Sequence, residues 1–303
     1  MGLLFLGDPP RAEVWAEVFN GTGEVLWQDE AAVGDPAAVT HLACWKLPPD
    51  LSRYPNLRMV ISLGAGIDQL GPVPAGLAVV RALSPGITEM VRDWVVTATL
   101  MLHRDMPVLL DQATRGDWRA LASCPAGARR VGILGLGRIG QSVAQVLSGM
   151  GFPVAGLSRS GRAVEGMEVF GPDEEDLFLS RTDLLICLLP LTEETRGKLG
   201  AAYLAKLPMG ARLVQAGRGP QLDLEALRGA LDSGRLTSAM LDVTDPEPLP
   251  ADHWCWRDPR VVVTPHIASF NPAGQGAEHA LEVLRAEREG REVPGLVAAD
   301  LGY

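Results

Sequence analysis

The feature that most constrains the fold is a glycine-rich turn between an apolar strand and an amphipathic helix. Residues 131–134 form a short apolar run that is typical of a buried parallel strand. Gly135, Gly137 and Gly140 follow with the spacing G-x-G-x-x-G, and an apolar repeat of helical period comes next. In this context the glycines permit a tight turn, close approach of a pyrophosphate and close helix packing. The sequence predicts a dinucleotide-binding turn; the alternative is a structural turn in another α/β protein.

The residues after the next predicted strand favour a phosphorylated dinucleotide. Residues 152–157 form that strand, and an NAD-binding protein would carry an acid about 20 residues past the glycines. This chain has hydroxyl and guanidinium side chains there instead: Ser158, Arg159, Ser160 and Arg162. Arginine forms bidentate hydrogen bonds to phosphate. We therefore expect NADP(H) as the preferred cofactor and NAD(H) as the second choice; the alternative is a solvated basic loop.

The composition is that of a globular protein of enzyme size with an excess of acidic residues. The 303 residues predict about two domains, and the hydrophobic fraction of 47% is ordinary for a globular protein. The net charge of −10 argues against nucleic-acid and anionic-membrane partners. The four cysteines show no C-x-x-C spacing, so we predict neither disulfides nor a metal site, and a reducing cytoplasm fits. We expect no signal peptide, because the first apolar run is short and no basic residue precedes it.

Alternating strands and helices predict an α/β fold with two parallel sheets. Strands of the first unit are predicted at 3–6, 41–45, 59–63 and 77–80, with a helix at 11–19. Six strands of the second unit, the number in a complete dinucleotide-binding sheet, are predicted at 131–134, 153–157, 184–188, 212–215, 238–241 and 261–263. One long helix is predicted over 87–110 with a break at Pro107, and a last helix over 272–289 could return to the first unit.

Four polar side chains follow predicted strands of the second unit, where ligands bind in open parallel sheets. Arg218 can hold a carboxylate and a neighbouring carbonyl oxygen, and Asp242 is placed to hydrogen-bond a nicotinamide amide. Glu247 lies between two prolines on a stiff segment. His266 has a side chain that exchanges a proton near neutral pH. The alternatives are an arginine that caps a loop carbonyl, solvated acids in a proline-rich connector and a structural histidine.

A second candidate site lies in the first unit. Gly64 and Gly66 flank Ala65 in a turn that can present successive N–H groups, an anion-binding nest. The alternative is a tight turn that binds no ligand. Trp45 and Lys46 follow another predicted strand and could supply a wall and an extra positive charge.

Taken together, these motifs resemble the D-isomer-specific 2-hydroxyacid dehydrogenases over nearly the full chain. The glycine motif, A-G-R-G, L-D-V-x-x-x-E-P-L and T-P-H-I-A-S occur in one order at strand ends. The stretches L-G-A-G-I-D at 63–68, S-R-S at 158–160 and L-L-P-L-T-E-E-T at 188–195 narrow the likeness to the glyoxylate/hydroxypyruvate reductase A branch. The resemblance implies two Rossmann-like domains with an active-site cleft between them. The substrate-binding domain would comprise 1–95 plus 271–303, and the NADP-binding domain 96–270.

The resemblance also implies an activity, the NADPH-dependent reduction of small 2-oxo acids such as glyoxylate or hydroxypyruvate to D-2-hydroxy acids. Arg218 would clamp the substrate, Glu247 would orient His266 and favour its charged form, and His266 would protonate the carbonyl oxygen. Further substrate contacts would come from Trp45, Lys46, Gly64, Ala65 and Gly66. Cofactor contacts would come from Gly135, Leu136, Gly137, Arg138, Ile139, Gly140, Ser158, Arg159, Ser160, Leu189, Pro190, Thr195, Ala216, Gly217, Asp242 and His266. A homodimer through the cofactor domain is typical of such proteins.

Three positions depart from the pattern of this family. Gln215 replaces a common asparagine, and Pro220 stands where many relatives have a small or apolar residue, so both could alter the loop around Arg218. Arg92 stands where relatives often carry an acid. Two other functions stay open, an NAD-dependent dehydrogenase of different substrate range and a dinucleotide-sensing protein without turnover. The missing acid after the second strand argues against the first, and the three candidate catalytic side chains argue against the second.

We expect the substitution Arg159→Ala to weaken NADPH binding far more than NADH binding. Only NADPH carries the 2′-phosphate that the guanidinium would contact. Fluorescence titration of the variant and the unaltered protein with each dinucleotide gives the four dissociation constants, and NADH serves as the internal control. Equal losses for both dinucleotides would show that this loop does not bind the phosphate.

Overall fold

The computed structural model describes residues 2–297 and shows two compact units, each built on a parallel sheet. The first unit comprises the chain up to residue 87 and from residue 270 onward, and the second comprises 88–269. Sheets of five and seven strands confirm the predicted α/β class with two Rossmann-like domains. The predicted domain limits, 1–95 with 271–303 and 96–270, stay predictions, and residues 298–303 lie outside the described part of the chain.

The first unit has a sheet in which every paired strand is parallel. Its strands are β1 (Gly2–Leu6), β2 (Val25–Trp27), β3 (His41–Cys44), β4 (Met59–Ser62) and β5 (Ala78–Val80). Their order is β2-β1-β3-β4-β5, one of the two common doubly wound orders. Strand β2 was not predicted; it has three residues, lies at the sheet edge and is partly exposed.

Two helices share a core on this sheet, although they come from opposite ends of the chain. They are α1 (Pro9–Phe19) near the start and, late in the chain, a 16-residue helix at Ala273–Arg288. Trp15 of α1 lies 4.6 Å from Phe5 between ring centroids, and both rings share a buried cluster with Leu281 and Leu284 of the late helix. The helix predicted at 272–289 therefore completes the core of the first unit.

The second unit contains seven parallel strands rather than the six predicted. They are β6 (Val131–Leu134), β7 (Val154–Leu157), β8 (Glu168–Phe170), β9 (Leu184–Cys187), β10 (Ala211–Gln215), β11 (Leu236–Leu241) and β12 (Val261–Val263). The order is β12-β11-β10-β9-β6-β7-β8, which is the dinucleotide-binding order 3-2-1-4-5-6 with one strand added at an edge. The unpredicted strand is β8, a three-residue edge strand that begins with a glutamate.

The helix predicted over 87–110 with a break at Pro107 is two helices in the structure, and the break lies before the proline. The chain leaves the helical path at Asp105, which has a φ of 54°. Pro107 lies in the first turn of the second helix, where its missing N–H has no helical partner to lose. The helices of this unit are α2 (Pro85–His103), α3 (Met106–Arg115), α4 (Arg138–Gly149), α5 (Glu175–Ser180), α6 (Ala201–Leu204) and α7 (Leu224–Asp232), and the late helix of the first unit is α8. Within residues 2–297, every helix is too short or too polar to cross a membrane.

The four cysteines of the chain are unpaired. Cys44, Cys187 and Cys255 are buried, and burial raises the pKa of each thiol to about 12. These thiols therefore stay protonated at neutral pH and behave as small apolar side chains.

Gly132 in β6 provides a test of how α5 packs on the central strand. A Cβ atom at Gly132 would lie 2.4 Å from Oγ1 of Thr182 and 2.8 Å from the ring of Phe178. We expect Gly132→Ala to lower the free energy of unfolding by about 1–3 kcal/mol through overpacking. The control is Gly229→Ala in α7, where nothing lies within 4 Å and alanine should raise that free energy by about 0.5–1 kcal/mol. Denaturant titrations of the full chain measure both, and a shift of the same sign in both variants would contradict this packing.

Candidate active site

Five loops of the second unit lie at one edge of its sheet. They follow the carboxyl ends of β6, β9, β10, β11 and β12, and parallel strands place these ends together. The candidate site residues of this unit lie in these loops, apart from Ser158, Arg159 and Ser160 after β7 and three residues in the first turn of the helix that begins at Arg138. The sheet edge is therefore the feature that brings side chains distant in sequence to one region.

The glycine-rich turn has a backbone that fits a pyrophosphate group. Gly135 has a φ of 97°, and a Cβ atom at Gly140 would lie 2.0 Å from the carbonyl oxygen of Gly135. Nothing lies within 4 Å of the Cβ position of Gly137, so this side of the turn is open. Helix α4 begins at Arg138 with no side chain capping its N-terminus. The amides of its first turn are therefore available to an anion.

The loop after β7 approaches the loop after β9. The hydroxyl oxygens of Ser158 and Ser160 lie 3.3 Å apart. The guanidinium of Arg159 lies 3.8 Å from the carboxylate of Glu194, and both side chains are more than half exposed. The exposed guanidinium suits a phosphate ligand, since a solvated ion pair of this length stabilises the fold very little.

Glu247 and His266 form the closest contact between candidate catalytic side chains. Nδ1 of His266 lies 2.7 Å from Oε1 of Glu247. The side chain of His266 is 36% exposed and that of Glu247 is 43% exposed, so a ligand can reach both. Because Nδ1 is occupied by the carboxylate, Nε2 is the ring nitrogen left for proton exchange with a ligand. Glu247 lies between Pro246 and Pro248, whose rings restrict the backbone of this segment.

His266 is held in a backbone conformation that non-glycine residues seldom adopt, with a φ of 52°. The buried carboxylate of Asp242 holds the turn around it, since it accepts hydrogen bonds from the Thr264 hydroxyl (2.6 Å) and the amides of Ile267 (2.9 Å) and Ala268 (2.8 Å). The carbonyl oxygen of Asp242 also accepts a hydrogen bond of 2.8 Å from the His266 amide. Asp242 therefore positions the histidine, and its predicted contact with nicotinamide stays a prediction.

Arg218 lies in a turn that packs closely against the segment of Glu247. A Cβ atom at Gly219 would lie 1.9 Å from the carbonyl oxygen of Thr244, so only glycine permits this approach. The Arg218 guanidinium donates a hydrogen bond of 2.8 Å to the carbonyl oxygen of Gly217. The turns that carry the three candidate catalytic residues are thus in contact or joined by hydrogen bonds.

The three departures from the family pattern have different structural consequences. Gln215 donates a hydrogen bond of 2.9 Å to the carbonyl oxygen of Arg218. Pro220 does not disrupt the loop around Arg218. It lies in a short 3-10 turn, and its carbonyl oxygen accepts a hydrogen bond from the amide of Gly197. Arg92 forms an exposed ion pair with Asp93, and nothing in the structure explains its identity.

The predicted anion-binding nest of the first unit is held in place from its inner side. The hydroxyl of Ser62 and the amide of Gln69 donate hydrogen bonds of 2.8 and 2.9 Å to the carbonyl oxygen of Gly66. The Gly64 amide donates to the hydroxyl of Ser62, so it is not available to a ligand. Within residues 2–297, the amides of Ala65 and Gly66 donate no backbone hydrogen bond. These two amides are therefore the donors that the nest offers.

The side chains predicted to flank this nest are exposed. Trp45 is 53% exposed, and its ring lies 2.8 Å from where a Cβ atom of Gly64 would be. Lys46 is also exposed at the end of β3. The Trp45 ring therefore lies beside Gly64, and the substrate contacts predicted for Trp45 and Lys46 stay predictions.

Several positioning residues were not found from the sequence. Four of them hold loops of the candidate sites through hydrogen bonds: Ser62, Gln69, Thr264 and Gln221. The only signal was a polar residue at the end of an apolar strand or inside a tight turn, which does not reveal its partner. Within the described residues, no three histidine, cysteine or acidic side chains lie together as metal ligands.

Known proteins resemble this chain along its length. A family model described as "D-isomer specific 2-hydroxyacid dehydrogenase, NAD binding domain" matches residues 96–268. A glyoxylate/hydroxypyruvate reductase A from Serratia proteamaculans is 35% identical over 318 residues, which covers all of both chains.

Solved structures are similar as well. A D-isomer specific 2-hydroxyacid dehydrogenase from Xanthobacter autotrophicus Py2, in complex with NADPH and MES, has a TM-score of 0.92 and 34% identity, covering 100% of this chain and 99% of that chain. An NADPH-dependent glyoxylate/hydroxypyruvate reductase from Sinorhizobium meliloti, in complex with NADP and sulfate, has a TM-score of 0.91 and 34% identity, covering all of both chains.

The role of Asp242 in holding the His266 turn leads to a stability prediction. We expect Asp242→Asn to lower the free energy of unfolding by about 1–3 kcal/mol, since the new NH₂ group faces N–H or O–H donors that lose their acceptor. The control is Asp252→Asn, the same exchange at an exposed position of the same unit. Denaturant titration measures both variants. An Asp242→Asn variant as stable as the Asp252→Asn control would show that the carboxylate does not hold this turn.

Proposed function

This chain belongs to the D-isomer-specific 2-hydroxyacid dehydrogenases, and on that premise we propose that it is an NADPH-dependent reductase of small 2-oxo acids. The family model covers more than half of the chain, and the Serratia relative confirms the family resemblance of the motifs. We propose glyoxylate and hydroxypyruvate as substrates, since the names of two relatives state them. The observation that carries the proposal is the 2.7 Å contact of Glu247 with His266 at the same sheet edge as the glycine-rich turn.

NADP(H) is the cofactor that these residues fit best. The amides at the start of α4 would hold its pyrophosphate, and Ser158, Arg159 and Ser160 would hold its 2′-phosphate. The structures from Xanthobacter and Sinorhizobium, which contain NADPH and NADP, support this assignment. When bound, NADPH supplies the hydride that reduces the carbonyl carbon.

The side chains of this protein supply a proton and electrostatic stabilisation. Glu247 fixes the orientation of His266, and the imidazolium form of His266 donates a proton from Nε2 to the carbonyl oxygen of the substrate. The Arg218 guanidinium stabilises negative charge on that oxygen and binds the adjacent carboxylate. The carbonyl group thus gains a hydrogen at carbon and a proton at oxygen and becomes a hydroxyl group. A positioned acid of this kind contributes roughly 10²–10⁴-fold to the rate.

We propose a substrate carboxylate as the anion for the nest of the first unit. The amides of Ala65 and Gly66 are its donors, and Trp45 and Lys46 flank it as an apolar wall and a positive charge. Nests of successive amides bind carboxylates and phosphates without any charged side chain, so the acidic net charge of the chain does not prevent binding.

We further propose a homodimer formed through the cofactor domain, in the cytoplasm. The side chain of Trp118 in the second unit is fully exposed, and Leu110 of α3 is half exposed. A second copy of the chain would cover this apolar surface. The unpaired cysteines support a reducing compartment, where disulfides are rare.

A panel of 2-oxo acids tests the proposed activity directly. Loss of NADPH absorbance with glyoxylate or hydroxypyruvate, and a much slower reaction with NADH, is the expected result. Binding of NADPH without turnover of any acid in the panel would instead favour a dinucleotide-sensing protein. Faster turnover with NADH than with NADPH would favour the NAD-dependent alternative.

We predict that His266→Ala lowers kcat at least about 10²-fold, because the substitution removes the proton donor. The dissociation constant for NADPH should change little. The matched control is His253→Ala, which removes a histidine that accepts a hydrogen bond from the backbone of Cys255 within the same unit. Steady-state kinetics and fluorescence titration measure the two quantities. Unchanged turnover in His266→Ala would exclude this histidine as the acid.

A further inference from the structure

The side-chain amide of Gln221 is fully buried between two loops that the proposed function assigns to different ligands. Its oxygen accepts a hydrogen bond of 2.8 Å from the backbone amide of Arg218, which binds the 2-oxo acid. Its nitrogen donates hydrogen bonds of 3.0 and 2.8 Å to the carbonyl oxygens of Leu189 and Pro190, which lie in the cofactor loop. One neutral side chain thus joins the two loops directly.

The Arg218 backbone is held by glutamine on both sides. Gln221 accepts from its amide, and the side chain of Gln215, which is also fully buried, donates a hydrogen bond of 2.9 Å to its carbonyl oxygen. A Cβ atom at Gly217 would lie 2.3 Å from Oε1 of Gln221, so the glycine leaves room for the amide. Both glutamine side chains are shielded from water. The Arg218 backbone is therefore held by groups that cannot exchange these hydrogen bonds for bonds to solvent.

Backbone hydrogen bonds join the same two segments farther along the chain. The amide of Gly197 donates to the carbonyl oxygen of Pro220, and the amide of Leu199 donates to that of Gln221, both at 2.8 Å. The loop at 189–199 and the Arg218 turn are thus joined by a connected set of hydrogen bonds. The Gln221 side chain is the link that reaches the cofactor end of this loop.

We infer that Gln221 is a positioning residue that couples the cofactor loop to Arg218, so that bound dinucleotide tightens the binding of the 2-oxo acid. This inference rests on the proposed function, in which Arg218 holds the substrate. Reciprocal coupling follows thermodynamically, since each ligand must then change the affinity of the other by the same factor. A carboxamide suits this position because it accepts from an N–H group and donates to carbonyl groups at the same time.

Two substitutions separate positioning from simple support of the fold. Gln221→Leu removes all of the side-chain hydrogen bonds, and we expect it to raise KM for glyoxylate about 10-fold at saturating NADPH. At about pH 8, Gln221→Glu should raise KM for glyoxylate as much as Gln221→Leu does. At about pH 6, the KM of Gln221→Glu for glyoxylate should return most of the way to that of the unaltered protein at the same pH. The reason is that burial beside carbonyl oxygens raises the pKa of a carboxyl group, and the protonated acid can again donate a hydrogen bond.

The surroundings of residue 221 allow this pH profile to be interpreted. The thiol of Cys187 lies 3.7 Å from Oε1 of Gln221, and burial raises its pKa to about 12, so the thiol stays neutral over the whole range. Dividing each KM by that of the unaltered protein at the same pH removes every effect of pH that the two proteins share. The control Gln28→Leu, which removes a side-chain bond to the Ala12 carbonyl oxygen in the first unit, should leave KM unchanged at both pH values.

Hydrogen exchange measures the coupling without any turnover. In the unaltered protein, NADP⁺ should slow amide exchange in peptides that cover both 189–197 and 217–222. In Gln221→Leu, the protection should remain at 189–197 and be lost at 217–222. Equal protection of 217–222 in both proteins, or a Gln221→Glu variant whose relative KM does not recover at low pH, would overturn the inference. A protein that reduces no 2-oxo acid but shows the Gln221-dependent protection would overturn the proposed function and leave the coupling in place.

Discussion

The geometry of the candidate active site depends on the hydrogen bonds that the carboxylate of Asp242 accepts. Burying a charge is costly unless hydrogen bonds replace water, and here three donors from one short turn do so. These bonds hold His266 at a positive φ, a conformation whose cost of about 1–3 kcal/mol must be met by the surrounding structure. Because the same turn directs the imidazole toward Glu247, the hydrogen bonds of Asp242 account for both the positive φ of His266 and its contact with Glu247.

Much of the fold was predictable, because buried parallel strands are short apolar runs. Residues 131–134 and 184–187 are buried along their whole length, and the sequence placed both within one residue. Strands β2 and β8 were missed; each has three residues, begins with an exposed residue and pairs with one neighbour at a sheet edge. The break at Asp105 was misplaced as well. A proline was taken as a helix breaker, although it is well tolerated in the first turn of a following helix.

The placement of the candidate catalytic residues at one sheet edge was predictable, whereas the residues that hold them in position were not. Arg218, Glu247 and His266 follow strand ends, and topology brings such ends to one edge. The hydrogen bonds of Gln221 depend on the path of a loop about thirty residues earlier in the chain, which local patterns do not determine. The left-handed conformation of His266 depends on Asp242 in the same way. Side chains that touch a ligand follow from topology, whereas side chains that orient them require the three-dimensional structure.

The discontinuous first unit has a consequence for biosynthesis. Its core joins Phe5 and Trp15 to Leu281 and Leu284, and these pairs are separated by the entire second unit. On the ribosome, the apolar face of α1 and its sheet must wait for the last tenth of the chain to emerge, while residues 88–269 already carry all seven strands of their own sheet. At translation rates of about 5–20 residues per second, that wait lasts on the order of ten seconds or more. During that time the apolar face of α1 lacks the late helix that covers it in the folded protein.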